Sequence, residues 1–175
     1  LTQIGTGVFQ GAGSSSNTFV IAIPESVTTI GESAFENSLV ASITHNGNDP
    51  SLKTIGKAAF KGCTSLNNLD FVLTNNIYIY IYFRRSAWFS CQKLTEIGES
   101  AFESVSFTTS NYNQKGLIIP EKLTKIGNAA FKKSNIYFLS IPQTNSLGTI
   151  GDEAFRETTN MNFITNFNYA TKLTE

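Results

Sequence analysis

Six versions of one short phrase mark this chain: Ile4-Gly5-Thr6-Gly7-Val8-Phe9, Ile30-Gly31-Glu32-Ser33-Ala34-Phe35, Ile55-Gly56-Lys57-Ala58-Ala59-Phe60, Ile97-Gly98-Glu99-Ser100-Ala101-Phe102, Ile126-Gly127-Asn128-Ala129-Ala130-Phe131 and Ile150-Gly151-Asp152-Glu153-Ala154-Phe155. Their phenylalanines are 26, 25, 42, 29 and 24 residues apart. A unit that short cannot bury its own apolar face, but a stack of such units can. A period in the twenties therefore points to a solenoid in which each unit touches only its neighbours.

Each position of the phrase has a physical reading. The full unit runs Leu/Val-Thr-x-Ile-Gly-x-x-Ala-Phe, starting at Leu1, Val27, Leu52, Leu94, Leu123, Leu147 and Leu173. A variable stretch and then an extended segment follow, clearest at Val20–Pro24, Leu117–Pro120 and Ile136–Pro142, with Leu66–Phe71 matching without the proline. Alternating apolar residues ended by Pro predict short strands. Stacked units place equivalent residues about 5 Å apart, as in a sheet, so the phenylalanines should form one internal spine. The alanine or valine before each Phe fills a narrow spot. The glycine after each Ile implies either a positive φ or a close backbone approach at a sharp turn. Three residues past each Phe stand Ala12, Ser38, Cys63, Val105, Ser134 and Thr158, all small, which reads as a packing slot.

The pattern resembles the leucine-rich repeats of the BspA-like, or Treponema-type, surface proteins. It is met best by Ile21 to Phe35, with Ile23-Pro24, Val27-Thr28 and Ile30-Gly31 in place, and by Ile55 to Leu66, which keeps Cys63. The resemblance spans nearly the whole chain. It implies an α/β leucine-rich-repeat fold: a right-handed solenoid, mostly short parallel strands with turns and short helical segments, and a sheet on its concave side. It also implies a cell-surface or secreted protein that adheres to an extracellular or host protein, with no catalytic residues to carry over. The chain opens on Leu1-Thr2-Gln3-Ile4-Gly5 and closes on Lys172-Leu173-Thr174-Glu175, the same phrase cut short. Residues 1–175 are accordingly expected to be a single array of six to seven repeats, an internal piece of a longer protein.

One interval breaks the rhythm, by roughly 16 residues over the others. Phe83 to Leu94 aligns onto Ile55 to Leu66 with Trp88 in the Phe position and Cys91 in the slot, which suggests a decayed repeat. Leu94 already starts the next phrase, however, and leaves no room for a strand, so an irregular insertion near 73–93 is the preferred reading. Its Ile77-Tyr78-Ile79-Tyr80-Ile81-Tyr82 run is a strong uncharged β-former, and Tyr78, Tyr80 and Tyr82 are one candidate contact strip.

Composition narrows the partners. With 13 basic and 13 acidic residues the formal net charge is +0, and no block of like charge occurs. Nucleic-acid or anionic-membrane binding needs a local basic patch, and neither partner is expected. No apolar run reaches the length of about 18 residues that spans a bilayer, so no membrane insertion is expected in this segment. The single histidine, His45, cannot assemble a metal site or a nucleophile–base pair alone. Cys63 and Cys91 lack zinc or redox spacing; they read as buried thiols, with a disulfide between coils as the alternative. No cofactor is implied, and an enzyme is not expected.

Binding should then fall on the strand faces. Residues alternating with the buried positions include Val20, Ala22, Ser42, Thr44, Asn68, Asp70, Gly116, Ile118, Phe138, Ser140, Phe163 and Thr165. Interface cores are depleted in charge and enriched in aromatics. This favours Ile118, Phe138, Ser140, Phe163 and Thr165 as the partner-binding patch, unless a one-residue register shift turns the phenylalanines inward. Self-association into a surface layer or filament, through the uncapped ends or the tyrosine strip, is the alternative function.

Overall fold

The structure is a computed structural model that describes residues 1–14, 16–46, 51–66, 68–69, 93–106, 116–165 and 167–173. Among these residues it has twelve short strands, one 3-10 helix at Phe167–Tyr169 and no α-helix. All inter-strand pairing between these strands is parallel.

The architecture is a stack of six coils. The Ile of each phrase, with the residue before it, forms a two-residue strand: β1 (Gln3–Ile4), β3 (Thr29–Ile30), β5 (Thr54–Ile55), β7 (Glu96–Ile97), β9 (Lys125–Ile126) and β11 (Thr149–Ile150). These pair in that order as one continuous sheet. The extended segments that follow each phrase supply β2 (Phe19–Pro24), β4 (Val40–Asn46), β6 (Asn68–Leu69), β8 (Gly116–Ile118), β10 (Phe138–Ser140) and β12 (Phe163–Thr165). They form two separate three-stranded sheets, β2-β4-β6 and β8-β10-β12, on another face.

Between the sheets runs the phenylalanine spine. Phe9, Phe35, Phe60, Phe102, Phe131 and Phe155 stack with ring centroids 5.0, 5.2, 5.2, 5.1 and 5.4 Å apart. The four central rings are fully buried. Each aromatic pair adds about 0.5–1.5 kcal/mol beyond its area burial. Ala34, Ala59, Ala101, Ala130 and Ala154 are buried beside them, and Ser38, Cys63, Val105 and Ser134 fill the slot.

The turn that carries the Phe is a ribbon of backbone hydrogen bonds. Ser33, Phe35 and Asn37 donate to the carbonyls of Lys57, Ala59 and Lys61 in the next coil, at 2.8, 2.7 and 2.7 Å. Ala58, Phe60 and Gly62 repeat this toward Glu99, Ala101 and Glu103. The intervening N–H groups close turns within their own coil, as in Ala34 to Gly31 and Glu36 to Ser33. Pointing alternate N–H groups the same way requires positive φ, and nine non-glycine residues among those described adopt it, Ser33, Asn37, Ala58, Ser100 and Glu153 included. Each costs about 1–2 kcal/mol, offset by the inter-coil bonds it permits.

The phrase glycines do something else. None of Gly31, Gly56, Gly98, Gly127 or Gly151 has positive φ. Each lies so close to the preceding coil that a Cβ would sit 2.3–2.9 Å from its nearest atom. Of the two readings open for this glycine, the structure shows the close approach.

One expectation is corrected. The α/β class, with its short helical segments, does not hold among the described residues, where the coil is strand and turn. An α-helix is about 10–12 Å across, and successive coils here are about half that apart at the rings, so a helix in each coil would force the stack open. The extended segments do supply parallel sheets, as expected, while the continuous six-stranded sheet is made of the phrase dipeptides Gln-Ile, Thr-Ile, Glu-Ile and Lys-Ile.

The long interval has a clear consequence in the stack. β5 pairs directly with β7, Gly98 lies against Gly56, and Phe60 stacks on Phe102. Coils separated by 42 residues in phrase position are thus immediate neighbours. Residues 70–92, including Tyr78, Tyr80, Tyr82, Trp88 and Cys91, lie outside the described residues.

Candidate protein-binding face

Parallel pairing aligns equivalent residues of each strand into rows. In the second half, Gly116, Phe138 and Phe163 form one row, and Ile118, Ser140 and Thr165 another. Between them Leu117 and Leu139 are buried, which places Phe138 and Ser140 on the opposite side of β10. Phe138 is half-buried rather than sunk into the core. The inward shift of register weighed for it is not what the structure has. Ser140, by contrast, is only 9 % exposed, and its carbonyl accepts the Ile119 N–H at 2.9 Å. It contributes little open surface. The side chains of Ile118, Phe163 and Thr165 lie outside the described set.

Neighbouring residues that sequence reasoning passed over brace this patch. The Asn162 amide donates to the Tyr137 hydroxyl at 2.9 Å, and the Asn162 N–H donates to the Tyr137 carbonyl at 2.8 Å. These bonds tie β10 to the segment entering β12. Ile164, in register with the buried Leu117 and Leu139, is nonetheless 49 % exposed because no coil covers it.

In the first half, Val20 pairs in a row with Ser42 and Asn68, and Ala22 with Thr44. Val20 is 66 % exposed and Ala22 is exposed, while Ile23 and Ile43 are buried. Alternation along the strand therefore sends small and apolar groups outward. His45 lies opposite Ile23 in β4, and its side chain falls outside the described set.

Charge is segregated from these faces. No residue of β2, β4, β6, β8, β10 or β12 is Asp, Glu, Lys or Arg. The Phe-bearing turns and the six-stranded sheet instead carry ladders of opposite charge between adjacent coils. Lys57 meets Glu99 at 3.0 Å, Lys61 meets Glu103 at 2.9 Å, Lys132 meets Glu153 at 2.6 Å and Lys125 meets Glu96 at 3.0 Å. Hydrogen bonding and charge from Glu99 raise the Lys57 pKa. Burial pushes Glu103 upward, but hydrogen bonds from Lys61 and Ser100 with the charges of Lys61 and Lys132 outweigh it and hold the carboxyl below its ordinary value. Hydrogen bonds from Lys132 and then Arg156 lower Glu153 likewise. Exposed pairs of this kind contribute about 0–1 kcal/mol each; their larger effect is to fix which coil faces which.

Other chemistry is sparse. The Cys63 thiol is buried and free, donates to the Phe35 carbonyl at 2.9 Å, and has its pKa pushed up to about 11 by burial. A thiol held protonated is a poor nucleophile. A shallow hollow of about 420 Å³ is lined by Glu121, Thr144, Asn145, Tyr169 and Lys172 among others. Its central amide, Asn145, is already committed to the Pro142 and Tyr169 carbonyls, and the Asn145 side-chain oxygen accepts the Leu147 N–H. No grouping of three or more metal-ligating side chains occurs among the described residues.

Comparison with known proteins agrees with this geometry. The profile described as "BspA type Leucine rich repeat region (6 copies)" matches residues 1–105 and 85–175. A leucine-rich repeat protein from Bacteroides ovatus ATCC 8483 is similar in structure, at TM-score 0.64 and 28% identity over 94% of this chain. A leucine rich cell surface protein from Faecalibacterium prausnitzii A2-165 is similar at TM-score 0.59 and 23% identity, again over 94% of this chain. This chain spans 34% of the first of those structures and 42% of the second. Among curated proteins nothing matches at a significant level.

Proposed function

The chain belongs to the BspA-type leucine-rich repeat family, and we propose that it is a protein-binding, adhesion-type module that engages an extracellular or host protein through its strand faces. The observation that carries this reading is the segregation of charge: the strand rows have no ionisable residue except His45, while the ion pairs gather on the turns and the six-stranded sheet. Burying a charge-free surface avoids the desolvation cost that opposes burial of ion pairs. Val20 and Phe138 are the described apolar groups best placed to be contacts. The module acts without catalysis or cofactor and binds neither nucleic acid nor membrane. Placement at the cell surface or outside the cell is supported by the family and by the cell surface protein it resembles; among the described residues no helix is long and apolar enough to cross a membrane.

The test is binding of the labelled chain to an array of purified extracellular-matrix proteins. At least one should be captured, more weakly by about tenfold for Val20→Ser or Phe138→Ser and nearly unchanged for Lys57→Glu. Capture that depends on Lys57 and ignores Val20 and Phe138, or no capture, would sink the reading.

A further inference from the structure

The turns that carry the phenylalanines have a property that the spine itself does not need. The second turn bears Glu32 and Glu36, the third Lys57 and Lys61, the fourth Glu99 and Glu103, and the fifth Lys132 and Lys133. Within each of these turns the charges share one sign, and the sign reverses at every step. The six-stranded sheet follows the same rule where it is charged, with an acid on coil four, Glu96, and a base on coil five, Lys125.

Stacking makes these charges into continuous rows. Glu36, Lys61, Glu103 and Lys132 each follow a ring of the spine, so they occupy one position on successive coils. Lys61 meets Glu103 at 2.9 Å. Against the burial of Glu103, the charges of both Lys61 and Lys132 favour its carboxylate. In the next row Lys57 meets Glu99 at 3.0 Å, and after Glu99 the charge of Glu32 also favours the ammonium. An interior charge is thus flanked by opposite charges on both sides and is not confined to one partner.

The rings and the alanines before them do not tell one coil from another. Phe35–Phe60, Phe60–Phe102 and Phe102–Phe131 stack at 5.2, 5.2 and 5.1 Å, and Ala34, Ala59, Ala101 and Ala130 fill the same buried site. The spine would accept coil four on coil two as readily as on coil three. Connectivity discriminates weakly, because loop-closure entropy grows only slowly with loop length. Coils three and four are already joined across a 42-residue phrase interval. Charge does discriminate. Coil four on coil two would set Glu99 and Glu103 against Glu32 and Glu36, and coil five on coil three would set Lys132 against Lys61.

We infer that the alternating charge of the turns selects the order in which coils two to five stack, and seats coil four on coil three across the long interval. The rows act as a ladder, so the effect of any one coil depends on the sign carried by the coils on both sides of it.

Refolding from urea at about 0.01 M and about 1 M NaCl tests this, since the Debye length falls from about 30 Å to about 3 Å. Stacking order is read from nuclear Overhauser contacts of the Ile97 methyl groups. They reach Ile55 in the native order and Ile30 when coil three is skipped. Glu99→Lys with Glu103→Lys makes three successive turns basic. At low salt its ratio of native to skipped contacts should fall by about tenfold or more, and high salt should restore it. Adding Lys57→Glu and Lys61→Glu restores opposite charges between coils three and four. It also sets acid on acid at coils two and three, and base on base at coils four and five, so this fourfold variant should stay well short of wild type at low salt. Full rescue by the fourfold variant would show pairs acting singly and would overturn the inference. Undiminished native contacts in the twofold variant, or a loss that salt does not relieve, would overturn it as well.

Discussion

Replacing Gly98 by alanine adds one methyl group at the middle of the stack. That Cβ would lie 2.6 Å from the Gly56 carbonyl carbon, 2.7 Å from the Lys57 nitrogen and 2.9 Å from the Gly56 oxygen. All three are backbone atoms of the neighbouring coil, so no side chain can rotate away. Relief requires the coils to part by most of an ångström. Four inter-coil bonds cross this junction beside the clash: Gly98 N–H to Ile55 at 2.7 Å, and Ala58, Phe60 and Gly62 N–H to Glu99, Ala101 and Glu103 at 2.8, 2.8 and 2.9 Å. Overpacking alone costs about 1–3 kcal/mol, and weakening two or three hydrogen bonds adds about 1 kcal/mol each. A total of about 3–6 kcal/mol is expected. For a chain of this size about 1 kcal/mol moves Tm by about 2–4 °C, so the midpoint of thermal unfolding followed by circular dichroism should fall by about 6–24 °C. Gly5→Ala in a dilute sample is the control, since it makes the same chemical change where no coil lies on that side, and its Tm should shift by less than about 2 °C. Equal losses at Gly5 and Gly98, or none at Gly98, would refute the claim that close coil approach is why the phrase keeps glycine.

Three further outcomes follow from named contacts. Phe102→Ala removes a fully buried ring stacked on both sides and should cost about 3–5 kcal/mol; Phe155→Ala, stacked on Phe131 and half-covered, should cost clearly less in the same urea titration. Ser134 has a buried hydroxyl with no partner among the described residues, so Ser134→Ala should leave stability unchanged or raise it by about 1 kcal/mol, and a loss above that would show a bond not accounted for. Glu103 has a folded-state pKa below its ordinary value, so its contribution is present above the unfolded carboxylate pKa and is lost as pH falls through the folded one. Glu103→Gln should therefore lower Tm at neutral pH and flatten the decline on acidification below about pH 4–5.

Much of the fold was legible because the repeated phrase encodes packing. Phenylalanine at a near-constant interval gave the spine, alanine before it the narrow site, and the small residue three positions on the slot. Two things were hidden. The positive φ positions are filled mostly by Ser, Ala, Asn, Lys and Glu, so residue type concealed them. Gly7, Gly11 and Gly62 stand at the equivalent places in other coils, and that substitution pattern was the available signal. The absence of α-helix among the described residues and the dominant six-stranded sheet follow from inter-coil spacing, which no single repeat states. For the strand face, alternation matches the exposure of Val20 and Ala22, while Phe138 is half-buried. It could not show that Ser140, small and set between the Ile118 and Thr165 strands, would be covered by its surroundings.

The whole account rests on coils that remain in direct contact across the long interval. The most direct measurement is the set of nuclear Overhauser contacts from the Phe60 ring. Contacts to Phe102, whose ring centroid lies 5.2 Å away, together with Phe35 on the other side, are the predicted result. Contacts from Phe60 to Trp88, with none to Phe102, would mean that a further coil is inserted between them and would contradict it.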